Sequence, residues 1–181
     1  MNNKLNLGSG GEKIANCDNV DIDPKFETEL CFDFKVTPWP IETNRYEEVY
    51  FFHVIEHIEK RYHKSIFSEI ARILKPKGTL YLSYPEFEII AQHWLNNEKG
   101  QRDYWERTLF GLQRTPSDYH VCAMSSEEVV QILLTVGFTG VIVRPESVDT
   151  FNTIITGHKV DKAILVNTYE KVLYDEVLGI K

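Results

Sequence analysis

A short apolar stretch, Leu5-Asn6-Leu7, runs straight into Gly8-Ser9-Gly10-Gly11, and the acidic run Val20-Asp21-Ile22-Asp23-Pro24 follows closely. This pairing constrains the fold more than any other feature of the chain. Glycines at a strand end let the backbone turn sharply and let another group come near. A carboxylate at the end of the next strand can accept hydrogen bonds from both hydroxyls of a ribose. Without the acid and the segments after it, the glycines would mark only a tight turn.

Those segments continue the pattern. Lys4–Leu7, Asn19–Ile22 and Glu29–Phe34 are predicted strands, the second and third ending in acid at Asp21 and Asp33. Thr37–Pro40 is a loop with two prolines. Glu47–Val54, apolar on both faces, suits a central parallel strand. Arg61–Leu74 then switches to a helical period, with Ile66, Phe67, Ile70, Ile73 and Leu74 on one face. Lys75-Pro76-Lys77-Gly78 is expected to stop that helix and turn the chain into a strand at Thr79–Tyr84. Pro85 reads as a helix-start residue, ahead of an apolar stripe of Phe87, Ile90, Ala91, Trp94 and Leu95. Arg102–Leu112 is predicted as a further helix. Ser125 and Glu128 read as a capping box before Val129, Val130, Leu133 and Leu134, in a helix that Gly137 ends. Val141–Arg144 and Asn152–Lys159 are late strands, and a terminal helix is expected over 163–181. Strands alternating with helices predict an α/β protein, doubly wound around a mostly parallel sheet. No repeat or linker divides the 181 residues, so a single domain over 1–181 is expected.

Composition weighs against several classes of function. The formal net charge is −7 and no basic block occurs, so the electrostatic footprint of a nucleic-acid binder is missing. Cys17, Cys31 and Cys122 are odd in number and lack CxxC spacing, which fits a reducing compartment and not a disulfide framework or zinc ribbon. With no secretory leader and no long apolar run, the expectation is a cytoplasmic chain without membrane contact. The sequence does not fix an oligomeric state.

The order LNLGSG, NVDIDP, CFDF, WPIETNRYEEVYFFHVIEH, IARILKPKGTLYLSYP and YHVCAMSSEEVVQILLTVGF resembles the class I S-adenosylmethionine-dependent methyltransferases over about Leu5 to Lys159. HVIEHI followed by ARILKPKG, and the SSEE…TVGF stretch, are its most specific parts. The resemblance implies a seven-stranded Rossmann-like sheet ending in an antiparallel hairpin. It implies that Leu7, Gly8, Ser9 and Gly10 lie against the methionine and ribose parts of the cofactor. Asp21 would hold the ribose hydroxyls beside Ile22, with Asp23 as a neighbour able to share that task. Asp33 would meet the adenine amino group, Phe34 the adenine ring, and His53 the methionine end. The chain departs from the family where Gly11–Asn19 and Pro24–Glu29 leave no room for the first two crossover helices, since a crossover takes a dozen or more residues. A pared-down member with those two helices reduced is therefore expected.

Nicotinamide binding would need glycine where Lys13 stands, and an acid about 20 residues on. His53-Val54-Ile55-Glu56-His57 spells HxxEH, the zinc spacing of one hydrolase class. That spacing works only within a helix, whereas a strand-like run leads into it here, so no metal is expected and Glu56 and His57 are expected to bond the neighbouring loop. Asp23 and Asp33 also suit turns. Tyr84, Glu86, Tyr119 and His120 each suit either a structural place or one facing a substrate. The Trp94–Trp105 aromatics suit a core.

The expected function is methyl transfer from S-adenosylmethionine to an O, N or C nucleophile of a small-molecule or saccharide-like acceptor. The acceptor side is expected from 85–121, the segment free to vary without breaking the sheet. His57 and His120 are the candidate catalytic residues, because imidazole titrates near neutrality. The alternative is a methyltransferase-like module that binds without catalysing, since function lives in sites and not folds.

Overall fold

The computed structural model describes residues 2–97, 100–147, 151–160 and 169–171. Its strands are β1 (Lys4–Leu7), β2 (Asp18–Asp21), β3 (Leu30–Cys31), β4 (Tyr46–Phe52), β5 (Leu74–Pro85), β6 (Phe138–Pro145), β7 (Asn152–Lys159) and β8 (Tyr169–Lys171). They form one sheet in the order β3-β2-β1-β4-β5-β7-β6-β8. The five strands from β3 to β5 are mutually parallel. β7 runs antiparallel to β5 and β6, forming the expected late hairpin with β6. The chain builds outward from β1 to β3, then returns to place β4 on the other side of β1. That reversal opens a crevice at the carboxyl ends of β1 and β4.

The sheet has one more strand than the seven expected. Tyr169–Lys171 pairs parallel with β6 and lies inside the segment expected to be helical. The rest of that expected helix falls outside the described residues.

The helices are α1 (Lys60–Ile73), α2 (Phe87–Leu95), α3 (Arg102–Phe110) and α4 (Ser126–Thr135). The apolar face of α1 is fully covered, with Ile66, Phe67, Ile70 and Ile73 all at 0% exposure. Burying each such side chain contributes roughly 1.5–3 kcal/mol. α4 buries Val129, Val130, Leu133 and Leu134. α2 packs less completely, since Ile90 is buried but Leu95 is exposed.

The two shortened crossovers are as the sequence suggests. No helix joins β1 to β2, and a single 3-10 turn, Pro24–Phe26, lies between β2 and β3. A helix satisfies its own backbone, but a loop laid on a sheet must find partners elsewhere. Two buried strand amides supply them. Asn19 Oδ1 accepts from Asn6 Nδ2 at 3.0 Å and from the Ile14 amide at 2.9 Å, while Asn19 Nδ2 donates to the Cys17 carbonyl at 3.3 Å.

Several local expectations are corrected. Lys75–Gly78 does not separate helix from strand but forms a bulge within β5, where the register moves from Tyr46 opposite Leu74 to Glu48 opposite Thr79. Pro85 ends β5, paired with Asn152, and Glu86 is the residue before α2. β3 is shorter than Glu29–Phe34, because Phe32 and Phe34 turn into an aromatic cluster with Trp39. Ser125 precedes α4, but its side chain makes no cap bond, and Glu128 bonds Lys60 Nζ at 2.6 Å instead. The cap comes from far along the chain. Glu86 Oε1 accepts the Ser126 amide at 3.0 Å, and Oε2 accepts the hydroxyls of Ser126 and Thr153. Glu86 and Tyr84 are both buried, so these two candidates for facing substrate hold the fold together instead. Among the described residues, no helix is long and apolar enough to cross a membrane.

Candidate active site

A cavity of about 630 Å³ opens at the carboxyl ends of β1, β2 and β4. Its floor is the glycine turn. Gly8 (φ +70°) and Ser9 both donate their amides to the Val20 carbonyl, at 2.8 and 3.0 Å, which ties the turn to β2. A Cβ on Gly8 would come within 2.3 Å of Val54 Cγ2, so β4's exit loop packs directly on the glycine. Gly10 (φ +51°) differs, because a Cβ there would meet nothing within 4 Å. Gly10 lines the cavity, and its bare face keeps room for a ligand.

Asp21 is 8% exposed, and backbone amides hold both its oxygens. Gly10 donates to Oδ2 at 2.8 Å and Asp23 to Oδ1 at 2.9 Å. Each oxygen keeps acceptor capacity toward the cavity, because a carboxylate offers about four lone-pair sites. Asp33 Oδ1 accepts the Lys35 amide at 2.9 Å, so Asp33 shapes a turn and lines the cavity at once. Asp23 does the same through the Lys25 amide at 3.0 Å. It also pairs with the Lys25 ammonium, and these two contacts hold its carboxyl below the usual range. Phe34 reaches the cavity while packed edge-on against Phe32 and Phe51. Ile22 is an exposed apolar residue on the same wall.

Of the residues expected against the cofactor, Gly8, Gly10, Asp21, Ile22, Asp33, Phe34 and His53 meet at this cavity. Leu7 and Ser9 are not on its wall. Leu7 is fully buried in the core, and Ser9 serves through its amide. Lys25, Lys35 and the 3-10 turn Pro116–Asp118 also line the cavity and were not singled out from sequence. Asp23-Pro24-Lys25 and Asp33-Phe34-Lys35 share an Asp-x-Lys pattern that closes the same side-chain-to-backbone turn, a signal that could have found both lysines. Pro116–Asp118 carries no such signal.

His53 and His57 belong to this cavity and also to a second one of about 430 Å³. The second cavity is bounded by α3 and the loop after it, through Tyr104, Arg107, Thr108, Leu112 and His120. The HVIEH segment is not one helix. β4 stops at Phe52, His53 sits at φ 53°, and a 3-10 turn covers only Ile55–His57. His53 and His57 therefore do not share a helical face, and the hydrolase geometry is not formed. The left-handed backbone of His53 is disfavoured for a residue with a Cβ. Its amide donates to the Ser83 carbonyl at 2.9 Å, which helps to hold it there.

Glu56 is 2% exposed, and neither of its carboxylate oxygens is hydrogen-bonded. His53 Nδ1 stands 3.4 Å from Glu56 Oε1, near enough for charge attraction. That carboxylate raises the His53 pKa against the opposing effect of burial. His57 bonds the neighbouring loop as expected, with Nδ1 2.9 Å from the Tyr119 carbonyl. His120 meets His57 edge-on at 4.8 Å between ring centres, and burial lowers its pKa. Trp105 is buried and stacked on His93 at 4.5 Å, consistent with a packing role.

The two candidate catalytic histidines, distant in sequence, thus face each other beside a cavity built from the glycine turn and the strand-end acids. Known proteins resemble the chain in family and in fold. The family profile described as a methyltransferase domain matches residues 9–143, and the chain belongs to that family. No curated protein matches it by sequence. Solved structures are similar in fold. A SAM-dependent methyltransferase from Archaeoglobus fulgidus superposes with a TM-score of 0.63 at 12% identity, over 88% of this chain and 86% of that one. The CurJ carbon methyltransferase gives a TM-score of 0.59 at 19% identity, over 87% of this chain and 48% of that one. Phosphoethanolamine N-methyltransferase 2 from Haemonchus contortus, in complex with S-adenosyl-L-methionine, gives 0.58 at 14% identity, over 89% and 50%. The chain thus spans about half the length of the latter two proteins.

Proposed function

We propose that this chain transfers a methyl group from S-adenosylmethionine to an O, N or C nucleophile of a small-molecule or saccharide-like acceptor. The observation that carries this reading is the meeting of two cavities at His53 and His57. One has the glycines and acids suited to an adenosyl group, and the other combines apolar and aromatic walls from Pro85, Tyr104, Leu112 and Phe151 with the polar groups of His57, Arg107 and His120.

The residues fit the cofactor. The bare face of Gly10 gives its backbone close access to a ligand. Asp21, oriented by two amides, accepts the ribose hydroxyls. Asp33 meets the adenine amino group, with Phe34 and Ile22 against the ring. Leu7 and Ser9 act from behind, one by packing and one by fixing the turn. His53 stands at the methionine end. When bound, the cofactor supplies an electrophilic methyl group on a positively charged sulfur. The chain's own residues align the acceptor with it, and alignment supplies much of the rate in a two-substrate reaction. His57 and His120 direct lone pairs at the acceptor's nucleophilic atom and favour its deprotonated form. The segment 85–121 gives the acceptor side most of its wall.

The net charge of −7 favours a small acceptor over a nucleic acid. Three free cysteines suit the cytoplasm. Calorimetric titration with S-adenosylhomocysteine tests the cofactor half, and methyl release across a panel of hydroxyl, amine and saccharide acceptors tests the other. Saturable binding with turnover on at least one acceptor is expected. Binding without turnover would favour the non-catalytic module, and no binding would overturn both readings.

A further inference from the structure

We propose that Glu56, His57 and His120 form a binding site for a divalent transition-metal ion on the wall of the second cavity. One ligand atom from each of the three residues can be chosen so that all lie within 4.8 Å of one another. An ion with bonds of about 2.0–2.2 Å can gather such a set through small side-chain rotations. Imidazole with carboxylate suits zinc, cobalt, iron or nickel better than magnesium or calcium, which prefer oxygen alone.

Glu56 gives the independent reason. It is 2% exposed, yet neither oxygen has a hydrogen-bond partner. A buried carboxylate without partners is costly, and buried charges are normally paired or bound to a metal. His53 Nδ1 lies 3.4 Å from Oε1 and attracts its charge, whereas Oε2 is left with no hydrogen-bond partner.

The histidines are set up as ligands. The Tyr119 carbonyl can only accept, so His57 Nδ1 carries the proton and Nε2 keeps a lone pair. An outer contact of this kind fixes the tautomer of many metal-binding histidines. The backbone secures the set as well, since the Val121 amide donates to the Glu56 carbonyl at 2.9 Å and the His120 amide to the Phe110 carbonyl at 3.1 Å. This ligand set differs from the HxxEH reading, because His120 replaces His53.

Three protein ligands leave a coordination position open toward the cavity. With an ion bound, His57 and His120 would serve as its ligands and not as free bases, and the ion would supply Lewis-acid polarisation to an acceptor oxygen held at the open position. That role rests on reading this cavity as the acceptor side, whereas ion binding does not.

The test is titration of chelator-treated full-length protein with Co²⁺ alone, followed by visible absorption and calorimetry. The variants are Glu56→Gln, His120→Ala and, as a histidine control far from the site, His158→Ala. One Co²⁺ per chain is expected with d–d bands, and affinity at least tenfold weaker in Glu56→Gln and His120→Ala but unchanged in His158→Ala. Thermal melting of each variant shows that it is folded, and S-adenosylhomocysteine binding is measured on the same samples. Absence of a saturable site, or equal Co²⁺ affinity in wild type and a folded Glu56→Gln, overturns the ion site. Loss of S-adenosylhomocysteine binding in wild type with Co²⁺ binding intact overturns the methyltransferase reading and leaves the ion site standing.

Discussion

The amide of Gly10 donates to Asp21 Oδ2 across 2.8 Å, joining the turn after β1 to the acid that ends β2. The Asp23 amide holds the other oxygen. The glycine turn and the acid are therefore one unit. Gly10 is bare toward the cavity, and its amide aims the carboxylate beside it.

Replacing Asp21 by alanine removes the ribose acceptor and the anchor of two amides together. Hydrogen bonds to a charged group contribute about 1.5–3 kcal/mol, so the Kd for S-adenosylhomocysteine should rise by roughly tenfold to a hundredfold. Calorimetry checks this, and an unchanged Kd would remove Asp21 from the site.

Alanine at Gly8 and at Gly10 should fail in different ways. Gly8→Ala drives a methyl group into Val54 at 2.3 Å and keeps a positive φ. Such overpacking typically costs 1–3 kcal/mol, roughly, and the backbone adds about 1–2 more. Gly10→Ala carries only the backbone cost, since its Cβ meets nothing within 4 Å. Its methyl group enters the cavity instead. Melting should place Gly8→Ala well below Gly10→Ala, while Gly10→Ala should lose more affinity than its small loss of stability explains.

The sheet from β1 to β5 was legible because the strands carry apolar patterns, and β1 and β2 run into a glycine and an acid. The shortened crossovers were legible from spacing alone, since too few residues stand between Gly11 and Asn19 for a helix. The cap on α4 was not. Ser125 and Glu128 satisfy the local motif, yet the carboxylate that receives the Ser126 amide belongs to Glu86, forty residues earlier. Local patterns cannot register a partner brought in by β5. The same limit explains His57 and His120, which each stood out as an imidazole but whose edge-on contact depends on the loop after α3. Glu56 bonds the neighbouring loop as expected, through its carbonyl to the Val121 amide, but only the fold reveals that its carboxylate oxygens lack hydrogen-bond partners.

Glu86 separates a structural acid from a substrate-facing one. Its carboxylate accepts the Ser126 amide and the hydroxyls of Ser126 and Thr153 in a buried site. Glu86→Ala leaves these donors without an acceptor, at about 1–3 kcal/mol for each buried group left unsatisfied. A fall in Tm is expected, with the affinity of folded protein for S-adenosylhomocysteine little changed. Normal melting with impaired binding would return Glu86 to the site.

Glu69 links the loop before β4 to α1 and makes stability depend on pH. Its Oε2 accepts the Trp39 amide and Arg72 Nη2, each at 2.7 Å, and its Oε1 accepts Arg72 Nε at 2.9 Å. Trp39 Nε1 donates to the Phe34 carbonyl at 3.0 Å, so the network also braces a wall of the first cavity. The hydrogen bonds from Arg72 lead in holding the Glu69 carboxyl below its usual pKa, against the opposing effect of burial. A folded-state pKa below the unfolded one favours folding above the unfolded value, and the gain disappears as pH falls through the folded value. Glu69→Gln should therefore lower stability by about 1.5–3 kcal/mol at neutral pH. The difference from wild type should narrow as pH drops below about 4.3, the ordinary glutamate value. Urea unfolding of both proteins across that range checks the sign, and a gap that stayed constant down to strong acid would show that the carboxylate's charge contributes nothing to the link.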